Sequence, residues 1–153
     1  MSSLLLICHA PSPNTSELRD AALAGAKDPD LMLKRVECLA PAAVEPEHVR
    51  SHDGIVIGTT ENFASMAGLT KDFFERIYYP CLQETQGKPV VVYVRAGEDG
   101  TGTRQQIEKI LTGLRWRLVQ PVLVLKGGWQ RSFVPQVKEL SATLAAGLEA
   151  GIF

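Results

Sequence analysis

The stretch "LLLICHAPSPNTSELRDAALAGA", residues 4–26, passes from an unbroken apolar run (Leu4 to Cys8) through a loop of prolines, hydroxyls and an amide into residues with helical spacing. A short apolar run bounded by turn residues reads as a strand covered on both faces, the kind found in parallel sheets packed between helices. Leu18, Ala21, Ala22, Ala24, Gly25 and Ala26 then mark a helix over Ser16–Lys27. The pattern recurs along the chain. Leu31–Leu39, Gly54–Gly58, Pro89–Val94 and Val119–Leu125 are further runs rich in Val, Ile and Leu, and the alternating "LMLKRVECL" suits a sheet edge with a partly wet face. Helical spacing returns over Leu69–Leu82, Thr103–Trp116 and Phe133–Leu148. Between the second and third runs, "APAAVEPEHVRSH" contains Pro41 and Pro46 and holds one short helical turn at most.

Strands alternating with helices call for right-handed crossovers and a parallel sheet. The expectation is an α/β, doubly wound, five-stranded parallel sheet with helices on both faces, built as a single domain over residues 1–153. A chain of this length buries roughly two thirds of its unfolded surface, enough for one core. Ligands of such sheets lie beyond the carboxyl ends of the strands, where strand order reverses.

Composition narrows the partners. With 45% hydrophobic residues, 22% charged and a formal net charge of -1, the chain reads as an ordinary globular protein with no call for nucleic acid or membrane. Leu4–Ile7 is too short to span a bilayer and has no basic residue before it, so a cytoplasmic location is expected. Cys8, Cys38 and Cys81 are odd in number and lie in or beside apolar runs, which reads as reduced, buried thiols.

The loops after the first, third, fourth and fifth strands are "HAPSPNTS", "GTTENFASMAG", "RAGEDGTGT" and "KGGWQRS". Three of them are dense in hydroxyls, amides and glycines and longer than a connector needs. In the first, Asn14, Thr15 and Ser16 stand at a helix start, where side chains and free N–H groups suit an anion; Thr15 or Ser16 acting only as a cap is the plainer alternative. Pro11 and Pro13 each remove a backbone donor. The glycine fingerprint of dinucleotide folds and the Gly-Lys-Ser or Gly-Lys-Thr loop are both missing. Asn14 stands where a thiol phosphatase needs arginine, and Thr59 where a receiver domain needs aspartate.

Ser12, Asn14 and Thr15, with Pro13 in place of a glycine, resemble the phosphate loop of the flavodoxin-like FMN-binding family. Asn62, Phe63, Met66, Gly68, Lys71, Phe73, Phe74, Glu75 and Arg76 resemble the flavin segment of its quinone-reductase and flavodoxin-type members, and the third loop corresponds by position to the one on the far side of the flavin. The resemblance implies FMN as cofactor. Its phosphate would lie against Ser12, Asn14, Thr15 and Ser16 with His9 nearby, and its ring between Thr59, Thr60, Glu61, Asn62 and Phe63 on one side and Ala96, Gly97, Gly100, Thr101 and Gly102 on the other. Phe63 is the stacking candidate, with core packing as its alternative.

Other signals point elsewhere. His48 and His52 are four apart beside Glu45, Glu47 and Asp53, but no third fixed ligand accompanies them, so no metal is expected. Arg115–Arg117, "RWR", reads as the cationic end of a helix. The flavin would carry the chemistry, with no catalytic side chain. The expected function is an NAD(P)H-dependent reductase of quinones or similar small acceptors. Its alternatives are a flavodoxin-type one-electron carrier working with a redox protein, and a flavodoxin-fold protein without flavin that acts through protein contacts. "IYYPCL", residues 77–82, suggests a homodimer surface.

Overall fold

The computed structural model describes residues 2–33 and 35–153. Chain order is β1 (Ser3–Cys8), α1 (Pro13–Ala26), β2 (Arg35–Leu39), a 3-10 turn (Pro41–Ala43), α2 (Pro46–Arg50), β3 (Gly54–Asn62), β4 (Ser65–Met66), α3 (Gly68–Cys81), β5 (Pro89–Ala96), α4 (Thr101–Leu114), β6 (Arg117–Leu118), β7 (Leu123–Lys126) and α5 (Phe133–Glu149).

The sheet runs β2-β1-β3-β5, and β5 then pairs with β6 at its start and β7 at its end. All these pairings are parallel; only the short β4 runs antiparallel, against the end of β3. From β1 the chain moves outward to β2 and then crosses back to β3 on the other side. Strand order therefore reverses between β1 and β3, and the crevice of this fold opens over their carboxyl ends.

Side-chain alternation sorts each strand between two helical layers. Leu4 and Leu6 of β1, with Val56 and Val91, face α1 and α5 and meet Leu18, Ala22, Val137 and Leu144. Leu5, Ile7, Ile55, Ile57, Val92 and Val94 face α3 and α4 and meet Phe73, Phe74, Ile77, Ile107 and Leu111. These strand residues are all fully buried, which is why their sequence reads as continuous apolar runs.

Three expectations shift at the edges. The run Leu31–Leu39 forms a strand only over Arg35–Leu39; Leu31–Leu33 lie outside it, and Lys34 falls outside the described residues. The fifth strand is split. The Val119 N–H still donates to the Val90 carbonyl (3.2 Å), but residues 120–122 leave the ladder, where Pro121 has no N–H to offer it, and pairing resumes at Leu123. The proline-rich crossover holds two short turns rather than one. Arg76 of α3 fastens it, donating from Nη1 to the Val44 carbonyl (2.6 Å) and from Nη2 to the Pro41 carbonyl (2.8 Å).

Candidate functional site

Three loops leave the carboxyl ends of β1, β3 and β5. The first is held to the sheet by the His9 N–H, which donates to the Gly58 carbonyl at 2.9 Å. Ser12 is the N-cap of α1. Its Oγ accepts from the Thr15 N–H (3.2 Å), its own N–H donates to Thr15 Oγ1 (2.9 Å), and the two hydroxyls lie 2.8 Å apart. This reciprocal capping box, with Pro13 at the first helical position, fixes the helix start three residues before the predicted Ser16.

The capping box also limits what the loop can offer an anion. Pro11 and Pro13 have no N–H, the N–H groups of Ser12 and Thr15 are used in the box, and that of Ser16 donates to the Ser12 carbonyl. Ala10 and Asn14 keep backbone donors without a partner among the described residues. The exposed Asn14 side chain and the half-buried Ser16 hydroxyl stand beside them. No acidic residue sits in the first turn, so the positive end of the α1 dipole is uncompensated. His9 is half-buried, and burial lowers its imidazole below the usual histidine range.

The second loop is a hairpin. β3 runs on to Asn62, turns through Phe63 and Ala64, and returns as β4. Both turn residues have positive φ, 53° and 61°, the backbone of a type I′ turn that normally takes Asn and Gly. Phe63 thereby stands fully exposed at the tip and is not a core aromatic. Thr59 and Thr60 point elsewhere. The Thr59 hydroxyl is buried against that of Thr70 on α3 (2.7 Å), and the Thr60 hydroxyl donates to Asn62 Oδ1 (3.3 Å).

The third loop meets the hairpin through Glu61. Its carboxylate accepts from the Gly100 N–H (3.3 Å) and from the Thr103 hydroxyl (3.1 Å), which places an anionic side chain at the N-terminus of α4. Gly100 adopts φ 74°, and a Cβ there would lie 2.5 Å from Val124 Cγ1, so the turn requires glycine. Gln106 completes the seam: its Oε1 accepts from the Ser65 hydroxyl at 2.7 Å. At Gly102 a Cβ would lie 2.9 Å from the Ala64 carbonyl oxygen, a second place where hairpin and helix touch through backbone.

The structure thus brings Glu61, Gly100 and Gly102 into one locked wall, with Phe63 at its crest. Ala96 lies buried at the end of β5, whereas Gly97 is exposed and Thr101 half-buried around the third loop. Ser12, Asn14, Thr15 and Ser16 cluster at the neighbouring end of β1. The sequence places Ser65 and Thr103 in these two loops but gives no sign of their bonds, Ser65–Gln106 and Thr103–Glu61, which join residues 41 or more positions apart, and Gln106 is not singled out at all.

The other sequence signals resolve into structural roles. His48 Nδ1 accepts from the Glu45 N–H, and buried His52 places Nδ1 2.7 Å from the His48 carbonyl. Trp116 is buried, its Nε1 donating to Thr85 Oγ1 at 2.9 Å. No helix among the described residues is long and apolar enough to cross a membrane.

A parallel sheet in the order β2-β1-β3-β5 with β6 and β7 sharing the last place, and with polar loops gathered over β1, β3 and β5, defines a flavodoxin-like α/β protein. Solved structures share that fold at low identity. An archaeal flavodoxin superposes with a TM-score of 0.78 at 15% identity, over 95% of this chain and 98% of that one. A WrbA-like flavodoxin from Agrobacterium tumefaciens gives 0.79 at 13%, over 100% of both chains. An oxidoreductase from Corynebacterium diphtheriae gives 0.68 at 18%, over 99% and 97%. No curated protein matches in sequence. The family model for NADPH-dependent FMN reductase matches residues 16–130, so the chain belongs to that family of flavodoxin-like flavoproteins.

The family cofactor is FMN, and the residues present fit it. The Asn14 N–H and amide, the Ser16 hydroxyl and the uncompensated α1 terminus suit a phosphate, held more by side chains than by a backbone nest. The wall from Thr59 to Gly102 offers backbone and one exposed aromatic to a flat ring. Of these two regions, the second falls within the family match; residues 9–15 lie before it.

Proposed function

We propose that the protein is an FMN-dependent oxidoreductase that takes reducing equivalents from NAD(P)H and passes them to quinones or similar small acceptors. FMN supplies the redox chemistry when bound. The chain's own residues position it: Asn14 and Ser16 with the α1 N-terminus take the phosphate, and His9 lies beside that site. The Glu61-locked wall supports the ring, and Phe63 packs on its face. The observation that carries the reading is this lock, because it fixes two loops at the sheet's carboxyl edge before any ligand arrives.

The test is stopped-flow mixing of the FMN-loaded protein with NADPH or NADH, without a helper reductase. Bleaching of flavin absorbance within seconds, followed by steady turnover with a quinone, is the expected result. Flavin that stays oxidised with both nucleotides, yet is reduced through an added reductase protein, makes the chain a one-electron carrier instead. Calorimetric titration with FMN and riboflavin tests the phosphate assignment, and equal affinities would refute it.

A homodimer accompanies this reading. An apolar groove of about 390 Å³ between α3 and α4 is lined by Phe74, Tyr78, Tyr79 and Ile110 with Lys71 and Glu75, a pair whose opposite charges suit the same face of a second copy across a two-fold axis. Sedimentation at micromolar concentration should show twice the chain mass, and Tyr79→Glu should return it to a folded monomer.

A further inference from the structure

Cys8, Cys38 and Tyr93 bring three polar side chains into the apolar layer that faces α1 and α5. The sheet register sets them in a row. Cys8 pairs with Gly58 of β3, and Gly58 pairs with Tyr93 of β5. A Cβ at Gly58 would lie 2.1 Å from Tyr93 Cζ, so the missing side chain lets the phenol cross β3 towards β1. Tyr93 Oη is buried there beside the Cys8 thiol, with no well-aligned hydrogen-bond partner among the described residues. On the other side of β1, Cys38 of the edge strand β2 pairs with Leu6, two residues before Cys8 on the same face. The two thiols lie within hydrogen-bonding reach of each other.

The surroundings of the two sulfurs differ. Cys8 is buried, whereas Cys38 is half-buried on a strand with a neighbour on one side only, a departure from the sequence expectation that all three cysteines are buried. The hydrogen bond with Cys8 holds the Cys38 thiol below the usual thiol range against the effect of burial; Arg19 and Lys27 act with that bond and Asp20 against it. The same bond and burial push Cys8 well up. A partly exposed thiolate near cations, in contact with a second thiol, is the arrangement of an oxidant-sensitive cysteine with its resolving partner.

We propose that Cys38 and Cys8 form a reversible, peroxide-sensitive dithiol. The Cys38 thiolate attacks one oxygen of hydrogen peroxide and the O–O bond breaks. Cys38 becomes a sulfenic acid, and the departing hydroxide regains as water the proton that Cys38 gave up. The Cys8 sulfur then attacks the sulfenic sulfur, the S–O bond breaks, and the departing hydroxide takes the Cys8 proton. Two thiols are thereby oxidised to a disulfide and one peroxide is reduced to two waters. Burial keeps the Tyr93 phenol protonated, so its hydroxyl can donate to the Cys8 sulfur as charge develops there. The bond requires the sulfurs to close to about 2.05 Å, and the unpaired side of β2 lets that edge strand take up the shift. No step uses flavin, so the proposal stands apart from the function proposed above.

The experiment treats the reduced protein with one equivalent of hydrogen peroxide, blocks the remaining thiols in denaturant and maps the cysteines by mass spectrometry. A Cys8–Cys38 disulfide should form within one chain and be reversed by dithiothreitol, with Cys81 still free. Cys81 is the internal control, since it is buried and its thiol donates to the Pro46 carbonyl at 3.7 Å. Cys8→Ser should leave Cys38 as a sulfenic acid that dimedone traps, and Cys38→Ser should slow oxidation of Cys8 by about tenfold or more. Tyr93→Phe should slow closure of the disulfide severalfold and let the sulfenic acid accumulate, with the first step unchanged. Oxidation of Cys38 to sulfinic acid while Cys8 stays free, a disulfide joining two chains, equal oxidation of all three cysteines, or no oxidation at all overturns the proposal.

Discussion

Glu61 brings its carboxylate to the N-terminus of α4 from a neighbouring loop, accepting from the Gly100 N–H and the Thr103 hydroxyl. In the sequence it is only one of the loop residues placed beside the ring, because nothing local distinguishes a solvated glutamate from one that bonds a residue 39 positions away. Truncation leaves two donors without their charged acceptor, so Glu61→Ala should cost about 1.5–3 kcal/mol per bond lost, read as a lower urea midpoint. Asn14 offers a cleaner probe of the first loop, since its side chain takes no part in the Ser12–Thr15 box. Asn14→Ala should weaken FMN by about 1.5–3 kcal/mol through one lost charge-assisted bond while riboflavin affinity and the thermal midpoint hold. His9 adds a pH dependence. Burial holds its folded-state pKa below the unfolded value, so the unfolded chain takes the proton first as pH falls below about 6.5. Stability is therefore flat above that pH and declines below it until the folded-state pKa is reached. Urea midpoints at pH 8 and pH 5 should differ less in His9→Gln than in the unaltered protein.

Elements were legible where burial was complete and blurred where geometry was special. β1, β3 and β5 read directly because parallel strands between two helical layers must be apolar at almost every position. The split of the last strand was hidden, since Val119 and Val122 look like strand residues and only Pro121 hints at a break. The hairpin was hidden for a stronger reason. Its turn needs two residues with positive φ, and Phe63 and Ala64 are among the least expected to supply them. The seam through Glu61, Gln106 and the Ala64–Gly102 contact holds the turn in place at a local cost. Ala64→Gly relieves part of that cost, and the net gain should be about 0.5–1 kcal/mol after the glycine's extra unfolded-state entropy is set against it. Chemical denaturation measures the gain. An unchanged or lower stability would show that the turn is not strained at Ala64. The first loop shows the opposite balance: its hydroxyls were legible as a cluster, but the division between cap and ligand depended on which donors the box had already used.

At the scale of the whole molecule the charge distribution separates an enzyme from a carrier. A carrier that meets basic redox proteins presents a strongly acidic face, and its encounters weaken steeply with salt. Here the formal net charge is -1, and the carboxyl edge of the sheet mixes Glu61, Glu98 and Asp99 with Arg104 and Lys126. Glu61 is moreover turned into the α4 terminus, which removes it from the outward-facing acids. Such an edge has no single-signed field to steer a protein partner, but it can hold the phosphates of a small anionic donor at short range. The Debye length shrinks from about 10 Å at 0.1 M salt to about 3 Å at 1 M, so exposed contacts to the phosphates of a nicotinamide donor are screened, most for NADPH with its extra phosphate, while a neutral quinone is not affected. Raising sodium chloride across that range should therefore increase the KM for NADPH severalfold, increase that for NADH less, and leave both kcat and the quinone KM nearly constant. Steady-state kinetics at four or five salt concentrations make the measurement. Loss of kcat with salt, together with an insensitive NADPH KM, would show that the limiting encounter is with a charged protein partner, and the chain would then be a carrier.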